Sequence, residues 1–197
     1  AAVLNGEPPS LTKVSNLTEY KADFIDFASK AISSRTKVLL NKHNRLSSIL
    51  DRSPDERTIS DKDFVRALSV DYNVNEDNID LLAKRADTIP TGLLVALVIH
   101  YTKWGTDAEL MKANNPFAIK DNNGAYKSYA SFDNGIREFL LLVNTDTKYG
   151  NMRVTRYKLK ESGVNLEAVS LLSFFSKGQD MQTILELIAK ERLYYLD

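Results

Sequence analysis

A run of seven residues, Leu93 to Ile99, contains no polar side chain. It is far shorter than the roughly 20 apolar residues of a membrane span. A segment apolar on every face, at this length, reads as a buried helix. Pro90 suits the first turn of that helix, where a missing N–H lacks a partner anyway. The helix is expected to run to about Trp104, and the rest of the chain reads as helices arranged around it.

Upstream, Tyr20 to Leu50 carries a long apolar face through Phe24, Phe27, Ala28, Ala31, Ile32, Leu39, Leu46, Ile49 and Leu50. The turn residues Asp51-Arg52-Ser53-Pro54 end it. Further helices are expected over Asp61–Val70, capped by Ser60, and over about Glu76–Ala86. Downstream, a short helix from Asp107 to Ala113 precedes the Asn114-Asn115-Pro116 turn. Lys120 to Tyr129, with Asn123-Gly124 at its centre, is expected to form a small hairpin. Ser131 caps a helix holding Ile136, Phe139, Leu140 and Val143. Two more are expected near Leu166–Phe175 and Gln179–Arg192. The fold class is therefore mainly α, with one reduced β-hairpin lobe. Residues 1–18, punctuated by Gly6, Pro8 and Pro9, read as irregular.

At 197 residues the chain fits one domain, or one domain with a helical addition. Lys plus Arg and Asp plus Glu number 26 each, so no global field draws nucleic acid or an anionic membrane. There is no cysteine, which excludes disulfides and thiol chemistry but leaves the compartment open. The opening AAVLNGEPPS has no methionine and no basic stretch, as in a chain whose export signal has been removed or in a trimmed chain. No Ser-His-Asp set, phosphate-binding glycine loop or metal-spaced cluster is present, so neither cofactor nor metal is expected. His100 lies on the apolar helix and reads as a core or boundary residue. His43, among Asn41, Lys42, Asn44 and Arg45, reads as part of a solvated or capping face.

Ile89 to Lys120 resembles the active-site segment of the glucosaminidase family, lysozyme-like enzymes that cut the glycan strands of bacterial peptidoglycan. That family's pattern is I-P-P-S-L-A-L-A-Q-A-A-x-E-S-G-W-G-T and, after a short interval, N-N-L-F-G-I. Ile89, Pro90, Leu93, Ala96, Trp104, Gly105, Thr106, Asn114, Asn115, Phe117 and Ile119 fall in register with it. The chain is most similar to the Bax-type branch, which carries a helical N-terminal extension. Lys84 to Pro90 resembles that branch's R-V-D-x-I-P. Tyr129 to Asp133 resembles Y-x-x-F-D-S, Asn144 to Tyr149 resembles N-T-H-P-x-Y, and Arg153 falls on a family arginine. Phe175 to Gly178, Ile188, Leu193 and Asp197 resemble its ending. The resemblance implies an extension over 19–87 and a lysozyme-like domain over 88–197, packed together as one unit. It also implies a periplasmic or otherwise exported protein.

The departures gather at the chemistry. The family's proton-donating glutamate falls on Tyr101, its serine on Gly92 and its glutamine on Leu97. Two of its glycines fall on Lys103 and Ala118. A phenol with a pKa of about 10 poorly replaces a carboxylic acid that must protonate a glycosidic oxygen. Leu94, Leu97, Val98 and Tyr101 share one helical face, which would be apolar with a single phenol. Among carboxylates near in sequence, Asp107, Glu109 and Asp133 read as helix-start residues. Asp121, in the shortened lobe, is the weak candidate for a substitute acid, against the blander reading of a turn-forming aspartate.

Cleft or binding residues implied by the resemblance are Leu97, Tyr101, Phe117, Tyr126 and Tyr149. Tyr101 either stacks on a sugar or fills vacated space. Trp104 reads as core. These features lead to the expectation of a catalytically degenerate glucosaminidase-like protein of the bacterial envelope, with no catalytic residue. Its expected partner is a peptidoglycan glycan strand or an envelope protein, with neither nucleic acid nor a membrane span involved. The alternative is an active peptidoglycan endo-β-N-acetylglucosaminidase using a non-standard acid.

Overall fold

The computed structural model describes residues 7–10 and 16–197. Much of the irregular lead-in expected over 1–18 lies outside these residues; 7–10 and Asn16 are non-helical. Eight α-helices are present among the described residues: α1 (Leu17–Leu50), α2 (Ile59–Tyr72), α3 (Ile79–Arg85), α4 (Thr91–Thr102), α5 (Ala108–Lys112), α6 (Phe132–Thr145), α7 (Gly150–Glu161) and α8 (Gly178–Lys190). The mainly α fold class is as the sequence indicates. The expected hairpin is reduced to one antiparallel bridge, Lys120 to Tyr126. No helix among the described residues is long and apolar enough to cross a membrane.

The chain divides into two compact units, each discontinuous in sequence. The first comprises Ala1–Arg35, of which only the described residues are discussed, with Ile89–Phe139 and Leu166–Asp197; the second comprises Thr36–Thr88 and Leu140–Asn165. The sequence-level division at 87/88 lies next to one crossing between the units. Two others run inside α1 and α6, where no change of composition marks them.

In the first unit α4 is the central element. Gly92 to Ile99 are all buried, as a helix without a polar face requires. It packs against α8 and a terminal 3-10 turn, Leu193–Leu196. The early part of α1 contributes Tyr20, Phe24, Phe27, Ala28 and Ile32, all buried at the spacing of one helical stripe. Phe117 lies flat against Phe139, with ring centroids 3.9 Å apart. The helix expected over Leu166–Phe175 is absent; only Leu172–Phe174 forms a 3-10 turn.

The second unit packs Leu39, Leu46 and Ile49 of α1 against Val65, Leu68 and Tyr72 of α2 and Leu82 and Ala83 of α3. Helix α2 starts earlier than expected. Its cap is Thr58, not Ser60: the Thr58 hydroxyl accepts from Asp61 N at 3.1 Å, while the Asp61 carboxylate accepts from Thr58 N at 2.9 Å. This reciprocal box satisfies two donors that a helix start leaves open. Helix α3 starts later than expected, because Asn78 caps it through Leu81 N.

Helix α7 is not anticipated by the hydropathy pattern. Its fully enclosed positions are Met152 and Arg156, one turn apart, so a charged residue stands where an apolar stripe would announce a helix. Arg156 has no exposed surface and donates to the carbonyls of Lys84, Arg85, Asp87 and Thr88 at 3.0 to 3.3 Å. It satisfies acceptors that the end of α3 leaves open. Burial, opposed in part by the Asp87 charge, lowers its pKa to about 10. Asn144 donates to the Asp87 carbonyl at 2.9 Å, and Lys160 donates to the Asp87 carboxylate at 2.6 Å. His43, expected on a solvated or capping face, holds Nδ1 3.0 Å from the carbonyls of Ala83 and Ala86. Two carbonyl neighbours require a proton on Nδ1.

Candidate functional site

The start of α4 is fixed by the end of the chain. Asp197 Oδ1 accepts from Gly92 N at 2.8 Å and Oδ2 from Ala168 N at 2.6 Å. A carboxylate at a helix N-terminus is favourable both as an acceptor and against the macrodipole. A methyl group at residue 92 would collide with the Leu193 carbonyl and lie 2.9 Å from Asp197 Oδ1. The glycine that replaces the resembled family's serine is thus accounted for by packing.

At the other end of α4, Tyr101 is half-buried. Its pKa is raised, first by burial and then by the negative charge of Asp180. The phenol therefore holds its proton more tightly than a free tyrosine and is a still poorer acid. Its ring neighbour is His100, with centroids 5.7 Å apart, and His100 Nε2 lies 3.8 Å from Asp180 Oδ1. Asp180, in the first turn of α8, is the carboxylate whose field reaches Tyr101. Sequence reasoning does not reach it, because 79 positions separate the two residues and they lie on different helices.

The backbone then makes a left-handed exit. Lys103, Trp104 and Gly105 have φ of 52°, 60° and 73°. Thr102 Oγ1 donates to Val98 O at 2.7 Å and accepts from Gly105 N at 3.0 Å. A side chain at Gly105 would run into the Phe24 ring. Trp104 meets Phe24 edge to face at 6.1 Å, and its carbonyl accepts from the Tyr20 hydroxyl. Ala118 has φ of 54°. Both positions where the resembled pattern has glycine and this chain does not, Lys103 and Ala118, therefore keep the left-handed backbone that favours glycine.

Asn115 explains the double asparagine. It is fully buried; its Nδ2 donates to Ile119 O at 2.8 Å and Lys127 O at 2.9 Å, and its Oδ1 accepts from Ile119 N at 2.9 Å. Asn114 Nδ2 donates to Tyr129 O at 3.1 Å. Together they tie the shortened lobe to the end of α5.

The nearby carboxylates have local tasks. Asp107 caps α5 through Leu110 N, and Glu109 lies exposed in the same first turn. Asp133 is gripped by Arg35 through both of its oxygens. Asp121 Oδ1 accepts from Asn123 N at 2.8 Å and Ala125 N at 3.0 Å, the geometry of an aspartate folding its own turn.

Of the residues implied for a cleft, Leu97 has no exposed surface and Phe117 keeps 4% of its own; both serve as packing. Tyr101 and Tyr126 are half-buried, and the Lys120 ammonium lies 5.4 Å from the Tyr126 ring centre. These four belong to the first unit. Tyr149 belongs to the second, where it is buried immediately before α7.

No family model matches the chain, and no solved structure matches it. It is 24% identical over 196 residues to Protein bax of Escherichia coli (strain K12), an alignment covering 90% of this chain and 71% of that protein. The chain is thus a distant relative of that protein.

Proposed function

We propose that this protein is a catalytically degenerate glucosaminidase-like protein of the bacterial envelope, exported to the periplasm or beyond, that binds peptidoglycan or assembles with an envelope protein. The observation that carries this reading is Tyr101. The position that the resemblance gives to the proton donor holds a phenol whose proton burial and Asp180 retain. Glycan binding does not need that proton, since stacking and hydrogen bonds to a strand persist without it. The distant relationship to Protein bax agrees with the branch to which the sequence is most similar. Hydrolysis through a non-standard acid is disfavoured, because Asp121 is committed to its own turn. Fold does not carry chemistry once site residues are gone.

Co-sedimentation with insoluble peptidoglycan tests the binding role. Retention at low salt is the expected result; a protein left wholly in the supernatant overturns glycan binding in favour of a protein partner.

A further inference from the structure

Three arginines gather in the second unit where helix ends meet. Arg85 is the last residue of α3, and Arg153 and Arg156 stand one turn apart on α7. Arg156 Nη2 lies 3.3 Å from the Arg85 carbonyl. Arg156 is fully buried, whereas Arg85 and Arg153 are half-buried. Arg85 Nη1 donates to Tyr72 O at 3.1 Å and Asn73 O at 3.2 Å, at the end of α2. Arg153 Nη1 donates to Val143 O at 2.9 Å and Asp146 O at 2.8 Å, at the end of α6. A helix C-terminus carries about half a negative charge, so each guanidinium is only partly offset there. None of the three is ion-paired among the described residues. Asp87, whose charge reaches Arg156, accepts from Lys160 at 2.6 Å. Burial first, and then the Arg85 charge, lower the pKa of Arg153; the opposing pull of Asp146 is smaller than either.

On both Arg85 and Arg153 the Nε and Nη2 groups make no hydrogen bond among the described residues. That edge is one with which a guanidinium grips an oxyanion through two parallel bonds. Arg35 uses it in this protein, holding Asp133 through Nε and Nη2. Gly150 brings no side chain to cover the Arg153 fork; a methyl group there would lie 4.0 Å from Arg153 Nη2.

We infer that Arg85 and Arg153 form a binding site for a phosphate group, each fork meeting two of its oxygens. A carboxylate has two oxygens and is satisfied by one fork, whereas two forks call for a tetrahedral anion, whose geometry a guanidinium matches. Arg156 adds positive charge from the interior. The phosphate is either free or the end group of a lipid, with the same recognition chemistry. The inference goes beyond the proposed function and does not rest on it, since the site reads an anion and not a glycan.

The full chain is titrated with inorganic phosphate by isothermal titration calorimetry, with acetate at matched ionic strength for comparison. Acetate, which engages one fork, is expected to bind at least about tenfold more weakly than phosphate. Arg85→Gln should weaken phosphate binding by about tenfold or more. Arg153→Lys should do the same, because it keeps the charge and a donor for the α6 carbonyls but loses the fork. Lys158→Gln removes an exposed charge elsewhere on α7 and should leave binding unchanged. Capture on phosphatidic acid vesicles but not on phosphatidylcholine vesicles, lost in Arg85→Gln, assigns a lipid source; phosphate binding without capture assigns a free anion. A lack of response to both phosphate and vesicles would overturn the inference. So would equal affinity for acetate, or a loss in Lys158→Gln as large as in the arginine variants.

Discussion

Replacing Arg156 with methionine is the most informative test of how the second unit is held. The side chain has no exposed surface, and its guanidinium satisfies four backbone carbonyls between Lys84 and Thr88. Hydrogen bonds from a charged donor contribute about 1.5–3 kcal/mol each, but these four share one group and do not add. Methionine also relieves the penalty of burying a cation, the same penalty that lowers the arginine pKa. Asn144 still serves the Asp87 carbonyl in the variant and Asp87 N the Arg85 carbonyl, while the Lys84 and Thr88 acceptors are stranded. The balance is a loss of about 3 kcal/mol, near the low end of the 3–5 kcal/mol typical when one partner of a buried charged network is removed. For a chain of this size that lowers Tm by roughly 6–12 °C. Thermal unfolding followed by far-ultraviolet circular dichroism reads it. Arg156→Lys should fall between, because one ammonium cannot span both the Lys84–Arg85 and the Asp87–Thr88 carbonyls. If Arg156→Met stays within about 1 kcal/mol of the wild type, the claim that this arginine fastens the end of α3 is refuted.

Two further outcomes follow from backbone strain and from a shifted carboxylate. Ala118→Gly removes a Cβ from a left-handed position and should stabilise the protein by about 0.5–1 kcal/mol after the extra freedom of the unfolded glycine is counted; no gain in urea unfolding would refute the strain. Asp61 is held at about 2, chiefly by Arg52 and then by Thr58, against an ordinary 3.8. A lowered carboxylate pKa stabilises the fold above the unfolded value, and that contribution is lost as pH falls from 3.8 to about 2. Arg52→Ala should therefore make urea midpoints depend less steeply on pH in that window; an unchanged slope would show that Arg52 is not the cause.

How much of this molecule the sequence disclosed depends on which face of each element is charged. Helix α4 was legible because seven apolar residues in a row leave no alternative to burial. The first stripe of α1 was legible at its Phe24, Phe27 and Ala28 spacing for the same reason. Helix α7 was not, because its buried face is carried by Arg156, whose charge is satisfied by carbonyls some 70 positions away. No local pattern announces such a partner. The early start of α2 turned on a choice between Thr58 and Ser60 as cap, two residues with the same chemistry, which only the position of Asp61 resolves. At the candidate site the motif positions were legible, whereas their reasons were not. Gly92 answers to Leu193 and Asp197, at the far end of the sequence. Asp180 influences Tyr101 from another helix.

The proposed function turns on Tyr101, which stands where the resembled family holds its proton donor. Release of reducing ends and soluble muropeptides from purified peptidoglycan, with wild type beside Tyr101→Glu, tests it most directly. No release by the wild type is expected, because the Tyr101 phenol retains its proton. Release by the wild type above a heat-inactivated control would overturn the proposed function.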